Sequence, residues 1–178
     1  MELRILQAGD AAAFTALRLA ALRECPTAFS SSYEEECDIP LEQAAERLAP
    51  NQHRAVFGAF DGDLLVGTLG LYRENRRKLE HKGVIWGVYV EPAYRGRGVA
   101  RTLLELALAH AAAMPNVVAV TLGVNAANTA AIALYESAGF EPFGLERGFM
   151  LVDGVLHDEL HMVRSIANGS GFARPELK

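Results

Sequence analysis

The segment Val88-Tyr89-Val90-Glu91-Pro92-Ala93-Tyr94-Arg95-Gly96-Arg97-Gly98-Val99-Ala100-Arg101 orders the reading of the whole chain. An apolar run stops at Glu91-Pro92 and a short turn follows. Two glycines then lead into a stretch where Val99, Leu103, Leu106, Ala107 and His110 recur at helical spacing. Gly96 and Gly98 allow the backbone to approach a ligand closely. A helix start leaves N–H groups unpaired and carries partial positive charge, to which Arg95, Arg97 and Arg101 add formal charge. Such a turn suits a pyrophosphate. On the glycines alone, a helix N-terminus with a solvated arginine cluster fits as well. The Gly-x-x-x-x-Gly-Lys-Ser/Thr phosphate loop is absent, and a dinucleotide fingerprint fails at its third glycine and lies too deep in the chain.

Outward from this turn, strand-like and helix-like segments alternate. Val84–Val90 is apolar on both faces, as a central strand would be. Pro115 closes the helix after the turn, Val117–Val124 reads as a strand, and Asn128–Ala138 as a helix ended by Gly139. Phe140–Val152 and Val155–Val163 form strands joined at Asp153-Gly154. Towards the N-terminus, Leu3–Leu6 is a strand. Asp10 caps a helix running through Arg23 with Phe14, Leu17 and Ala21 on one face, and Pro26 ends it. Ile39–Leu48 is helical with Pro40 in its first turn, and Arg54–Phe60 and Leu64–Tyr72 make a hairpin at Asp61-Gly62. The order βααβββαβαββ predicts a mixed sheet covered by helices, an α+β sandwich. Residues 1–164 read as a single domain and 165–178 as a loose tail.

Composition sets the partners. The 178 residues suit one domain, and 51% hydrophobic and 22% charged residues are ordinary globular usage. With 17 Lys+Arg against 22 Asp+Glu the net charge is −5, which disfavours nucleic acid as a partner. Cys25 and Cys37 cannot by themselves build a disulfide framework or a zinc site and fit a reducing compartment. The N-terminus lacks a signal-peptide apolar core, and no run approaches the ~18–20 residues of a membrane span. A cytoplasmic protein without a membrane partner is the expectation, and a homodimer stays open. His157-Asp158-Glu159-Leu160-His161 does not read as a metal site. On a strand its histidines share a face but lie ~13 Å apart. His157, Glu159 and His161 are expected on one sheet face, with Leu156, Leu160 and Met162 in the core and Asp158 needing a hydrogen-bond partner.

Asn128 and Tyr135 stand seven residues apart on the second helix. Seven steps of ~100° return to within ~20° of one face, ~10 Å along the axis. An N-cap asparagine and a half-buried core tyrosine account for the pair as readily as a ligand-facing role. Here the sequence resembles the GNAT N-acetyltransferase superfamily. Arg95-Gly96-Arg97-Gly98-Val99-Ala100 matches its Gln/Arg-x-x-Gly-x-Gly/Ala pyrophosphate loop. The stretch from Asn125 to Phe140, with Asn128 and Leu134-Tyr135-Glu136-Ser137-Ala138-Gly139-Phe140, matches its next motif.

The resemblance spans Glu2 to Arg164. It implies a mixed, mostly antiparallel central sheet with helices on both faces, and acetyl-CoA as co-substrate with no metal. It implies a coenzyme site made of Val88, Tyr89, Val90, the loop Arg95–Arg101 (Arg95, Gly96, Arg97, Gly98, Val99, Ala100, Arg101), Asn128 and Tyr135. In that reading the strand bulges at Val88 and splays from Val117–Val124. The Val88 N–H is then free for the acetyl carbonyl, and Asn128 contacts the pantetheine arm. The Tyr135 hydroxyl faces the sulfur, either hydrogen-bonding the developing thiolate or donating its proton. An amine attacks directly, without an acyl-enzyme.

An amine of pKa ~10.4 is about one part in 10^3.4 neutral at pH 7, a cost of ~4.6 kcal/mol. Many members of the superfamily carry a glutamate early in the strand that ends at the loop; Val84 stands there. His81, just before that strand, is expected to supply or relay the base, with Glu80, water or desolvation as alternatives. A non-catalytic acyl-CoA-binding regulatory module is the rival to an enzyme. The acidic run Ser30–Glu36 and the basic run Arg73–Lys82 both border the expected acceptor side. They leave the acceptor amine open among small molecules, amino acids and peptides.

Overall fold

The computed structural model describes residues 1–166. Seven strands form one sheet: β1 (Glu2–Ile5), β2 (Arg54–Asp61), β3 (Leu64–Arg73), β4 (Lys82–Val90), β5 (Ala119–Asn125), β6 (Glu141–Val152) and β7 (Val155–Ser165). Their spatial order is β1-β2-β3-β4-β5-β7-β6. The β4–β5 pair is parallel and the other pairs are antiparallel. The helices are α1 (Ala11–Glu24), α2 (Tyr33–Glu36), α3 (Leu41–Leu48), α4 (Val99–Ala113) and α5 (Thr129–Ser137). The parallel step follows from α4: a chain leaving the end of β4 can lie parallel beside it only after a crossover, which this helix provides.

The sheet is covered on both faces because its middle strands are apolar on both. Val56 and Phe60 of β2 pack towards α1 and α3, while Ala55, Phe57 and Ala59 pack towards α4. Helix α4 answers with Val99, Leu103, Ala107 and Ala111, all buried at helical spacing. Each large side chain so buried stabilises the fold by ~1.5–3 kcal/mol. The mixed sheet and the α+β class agree with the sequence reading.

Some local expectations are corrected. The single-turn α2 forms inside the acidic run, because Ser32 caps it. The Ser32 Oγ accepts from the Glu35 N–H at 3.3 Å, and the Ser32 N–H donates to the Glu35 carboxylate at 2.7 Å. Asp10 sits at the N-cap of α1 without capping it; its carboxylate instead takes two bonds from Arg4, at 2.7 and 2.8 Å. Pro40 precedes α3 rather than lying in its first turn. Leu156 is 66% exposed, since the end of the β6–β7 hairpin runs past the helical layers. Asp158 finds its partner in the Gly148 N–H at 2.8 Å. Ser165 still belongs to β7, and Ile166 is buried with its N–H on the Val118 carbonyl at 2.8 Å. The body therefore continues past residue 164, and residues 167–178 of the expected tail lie outside the described residues.

Candidate active site

Strands β4 and β5 pair only from Lys82–Val84 to Ala119–Thr121, and then part. On its other edge β4 is irregular. Thr68 pairs with Tyr89 and Gly70 with Trp86, so Gly87 and Val88 bulge opposite Leu69, with Gly87 at φ 62°. The Trp86 indole lies across Gly70, where a Cβ would fall 2.1 Å from it. Bulge and splay together open a cleft through the sheet. A cavity of about 510 Å³ lies on the α4–α5 side and one of about 930 Å³ on the α2 side. Phe29, Trp86, Gly87, Gly123 and Asn125 line both.

The smaller cavity gathers most residues singled out in the sequence: Val88, Tyr89, Val90, Arg95, Gly96, Gly98, Val99, Ala100, Arg101, Asn128 and Tyr135. Gly96 and Gly98 have φ 73° and 81°, and a Cβ on either would meet nothing within 4 Å. Their glycine identity thus answers to backbone conformation, and the space beside them is open to a ligand. Gly98 offers α4 no side-chain cap, so the first-turn N–H groups face outwards. This open cradle presents unpaired N–H donors and free space to an anion.

The arginines divide by role. Arg95 is held inwards, its Nε donating to the Val90 carbonyl at 2.8 Å and its Nη2 pairing with Glu24 at 2.8 Å. The Tyr89 hydroxyl donates to the same Glu24 carboxylate. Burial and that hydrogen bond hold the Tyr89 phenol well above its ordinary range. The Tyr89 bond, aided by Arg95, keeps Glu24 below the carboxylate range against the opposing effect of burial. Arg95 and Tyr89 therefore brace the loop against α1. Arg97 lies over the Tyr94 ring at 5.2 Å, and Arg101 donates to Ser137 Oγ at 2.7 Å, tying α4 to α5.

Asn128 caps α5, its Oδ1 accepting from the Ala131 N–H at 3.1 Å. Tyr135 is buried edge-on to Phe140 at 5.9 Å, and burial pushes its phenol up to about 12. The hydroxyl stays neutral and can only donate or accept a hydrogen bond at physiological pH.

The larger cavity mixes aromatic surface with charge. Arg18 and Glu36 form a bidentate pair at 2.8 and 3.1 Å, with side chains 12% and 14% exposed. Arg73 donates to the Pro115 carbonyl at 2.8 Å and contacts His53 Nδ1 at 2.9 Å. Val84 lines this cavity, but His81 and Glu80 line neither. His81 precedes β4 at its closed end, where its carbonyl accepts from the Val118 and Ala119 N–H groups at 3.0 and 3.3 Å. Seven residue steps along the strand separate it from Val88, roughly 23 Å. Geometry thus parts His81 from the other predicted site residues.

The sequence motifs do not mark Glu159 as a site residue. It pairs in register with Asn125 across β5–β7, and its carboxylate lies over Gly123, where a Cβ would fall 2.2 Å from it. The only hint in the sequence was its place on one face with His157 and His161; that this face borders the cleft depends on β7 inserting beside β5. Among the described residues, no cluster of three or more His, Cys, Asp or Glu is arranged to hold a metal ion, and no helix is long and apolar enough to cross a membrane.

Comparison with known proteins agrees with this geometry. Residues 18–140 match the model of the acetyltransferase (GNAT) family. The chain is 38% identical over 119 residues to the N-alpha-acetyltransferase RimI of Mycobacterium tuberculosis, across 66% of this chain and 72% of that protein. An acetyltransferase of the GNAT family from Streptococcus pneumoniae superposes with TM-score 0.83 at 24% identity, covering 93% of this chain and 99% of that one. A GNAT superfamily phosphinothricin acetyltransferase from Sinorhizobium meliloti, solved in complex with AcCoA, gives TM-score 0.83 at 20% identity, over 98% and 93% of the two chains.

Proposed function

The chain belongs to the acetyltransferase (GNAT) family, and from that membership we propose how its own residues serve acetyl transfer from acetyl-CoA to an amine. It is an acetyl-CoA-dependent N-acetyltransferase, not the regulatory module that the absent glutamate at Val84 left open. The observation that carries the assignment of roles is the β4–β5 splay, which joins the two cavities at Gly87, Gly123 and Asn125.

When bound, the coenzyme supplies an activated acetyl thioester. In our reading, the N–H groups of Gly96, Gly98, Val99 and Ala100 hold its pyrophosphate, with Arg97 and Arg101 adding charge and Arg95 bracing the loop. The backbone of Val88 and Val90, freed by the bulge, pairs with the arm and the acetyl carbonyl. Asn128 borders the arm, and Tyr135 faces the sulfur. With its phenol at about 12 against ~8.5 for a thiol, full proton transfer from Tyr135 would be uphill by ~5 kcal/mol. Tyr135 therefore acts as a hydrogen-bond donor that stabilises charge developing on sulfur.

The acceptor proposed is an α-amine, entering through the larger cavity. The N-alpha-acetyltransferase relative supports this class, and the cavity's size leaves room for a residue beyond the amine. The test is free-thiol release from acetyl-CoA with a peptide bearing an N-terminal alanine, beside the same peptide with a blocked N-terminus and a free lysine. Release with the first and not the second supports the reading; release with lysine alone overturns the α-amine.

A further inference from the structure

We propose that Glu159 is the general base that takes the proton from the acceptor ammonium. The proposal rests on the acetyl-transfer reading above and adds to it the one group that reading lacks. Glu159 lines the larger cavity against Gly123 and Asn125, two residues that also line the smaller one. Tyr135 lies on the coenzyme side of that junction and Glu159 on the acceptor side, so an amine crossing towards the sulfur passes the carboxylate. Its side chain is 16% exposed, and no described residue donates to it at hydrogen-bonding distance; its nearest ion-pair partner is His161 Nδ1 at 3.6 Å. Gly123 is what admits it: any side chain there would occupy the space of the carboxylate.

Burial in this wall, and the negative charge of Glu146 on β6, raise the Glu159 carboxyl above the ordinary range, with His161 acting in the opposite direction. Other charges face the same cavity from neighbouring elements. Arg18 and Glu36 neutralise each other, Arg73 is engaged by Pro115 and His53, and Arg54 donates to the Glu46 carbonyl at 2.7 Å. Arg47 and Glu74 complete the set. A raised carboxyl narrows the gap to the amine and makes proton uptake less uphill.

The ammonium gives one proton to Glu159, leaving a neutral amine whose lone pair forms the N–C bond. The C–S bond breaks with its electron pair on sulfur. The second nitrogen proton ends on sulfur as thiol, and Glu159 returns its proton to water, with the one-third-exposed His161 standing between them.

Glu159→Gln keeps the shape and removes the base. With acetyl-CoA and the N-terminal alanine peptide, whose α-amine of pKa ~8 is about one-tenth neutral at pH 7, it should lower kcat/KM at pH 7 by about tenfold. It should remove from the acidic limb of the pH profile the inflection that belongs to Glu159 and leave acetyl-CoA affinity unchanged. Its residual rate should climb about tenfold per pH unit towards the amine pKa, as the amine sheds its own proton. Glu159→Asp should restore part of the rate. Gly123→Ala, which displaces the carboxylate by contact, should also depress kcat/KM. A Glu159→Gln rate within threefold of wild type, with the acidic limb intact, overturns the proposal.

A second readout needs neither coenzyme nor turnover. Carbon-13 NMR titration of the Glu159 carboxyl should place it above free glutamate, and saturating n-butylammonium should lower it. A carboxyl that ignores the ammonium also overturns the proposal. If the wild-type protein releases no thiol with the peptide while the ammonium still shifts Glu159, the α-amine reading fails and the base assignment stands.

Discussion

A tyrosine that donates rather than ionises has a measurable signature. Tyr135→Phe should lower kcat by roughly 10²-fold, the loss of one donor to developing charge at ~3 kcal/mol, while the KM for acetyl-CoA changes little. A kcat within threefold of wild type would make Tyr135 a packing residue against Phe140. Gly98→Glu acts at the other end of the coenzyme site. The left-handed φ of 81° strains any side chain by ~1–2 kcal/mol, which the fold tolerates. The carboxylate then meets the pyrophosphate it must repel, and acetyl-CoA binding measured by calorimetry should vanish. Both residues were legible because their constraints are local: a positive φ selects glycine, and helical spacing sets Tyr135 on the Asn128 face. Glu159 was not, because its neighbours Gly123 and Asn125 lie more than thirty residues away in sequence.

Among the elements, the single turn α2 shows how a short piece is held in place. Four residues cannot sustain a helix alone. Burial would by itself raise the Glu36 carboxyl, but the Arg18 hydrogen bonds and charge outweigh it and hold the group below the ordinary range. Arg18→Ala leaves that carboxylate to Ser31 and Arg47 alone and should cost about 3 kcal/mol, or roughly 10 °C in Tm. A depressed folded pKa means that the pair's contribution is present at neutral pH and is lost as pH falls through it. The gap between Arg18→Ala and wild type should therefore narrow in acid, as thermal unfolding at several pH values would show. The sequence marked this segment only as an acidic run, since the cation that settles it lies on α1.

For the whole molecule, a coenzyme that binds the folded chain and not the unfolded one links ligand binding to stability. Acetyl-CoA at one hundred times its Kd should stabilise the protein by about 2.7 kcal/mol, raising Tm by roughly 5–10 °C. Gly98→Glu should erase that shift while keeping its own cooperative transition. The Glu159 carboxyl adds a contribution of the opposite sense. An acid whose pKa is raised in the folded state contributes stability below its unfolded pKa and loses it as pH rises through the folded value. Removing the charge with Glu159→Gln should therefore raise Tm at pH 7–8, whereas deleting a structural ion pair would lower it.

Periodicity and turn chemistry in the chain alone determined the α+β class, the central β4, both hairpins and the glycine loop opening α4. Each depends on residues within a few positions of one another. The reach of β4 past its pairing with β5, the bracing of Arg95 by Glu24, and the placing of His81 and Glu159 at opposite ends of the β4–β5 pairing were decided only by tertiary structure. The physical reason is the order of the sheet: β7 enters between β5 and β6, carrying Glu159 to the splayed end while the pairing of β4 with β5 leaves His81 at the closed one.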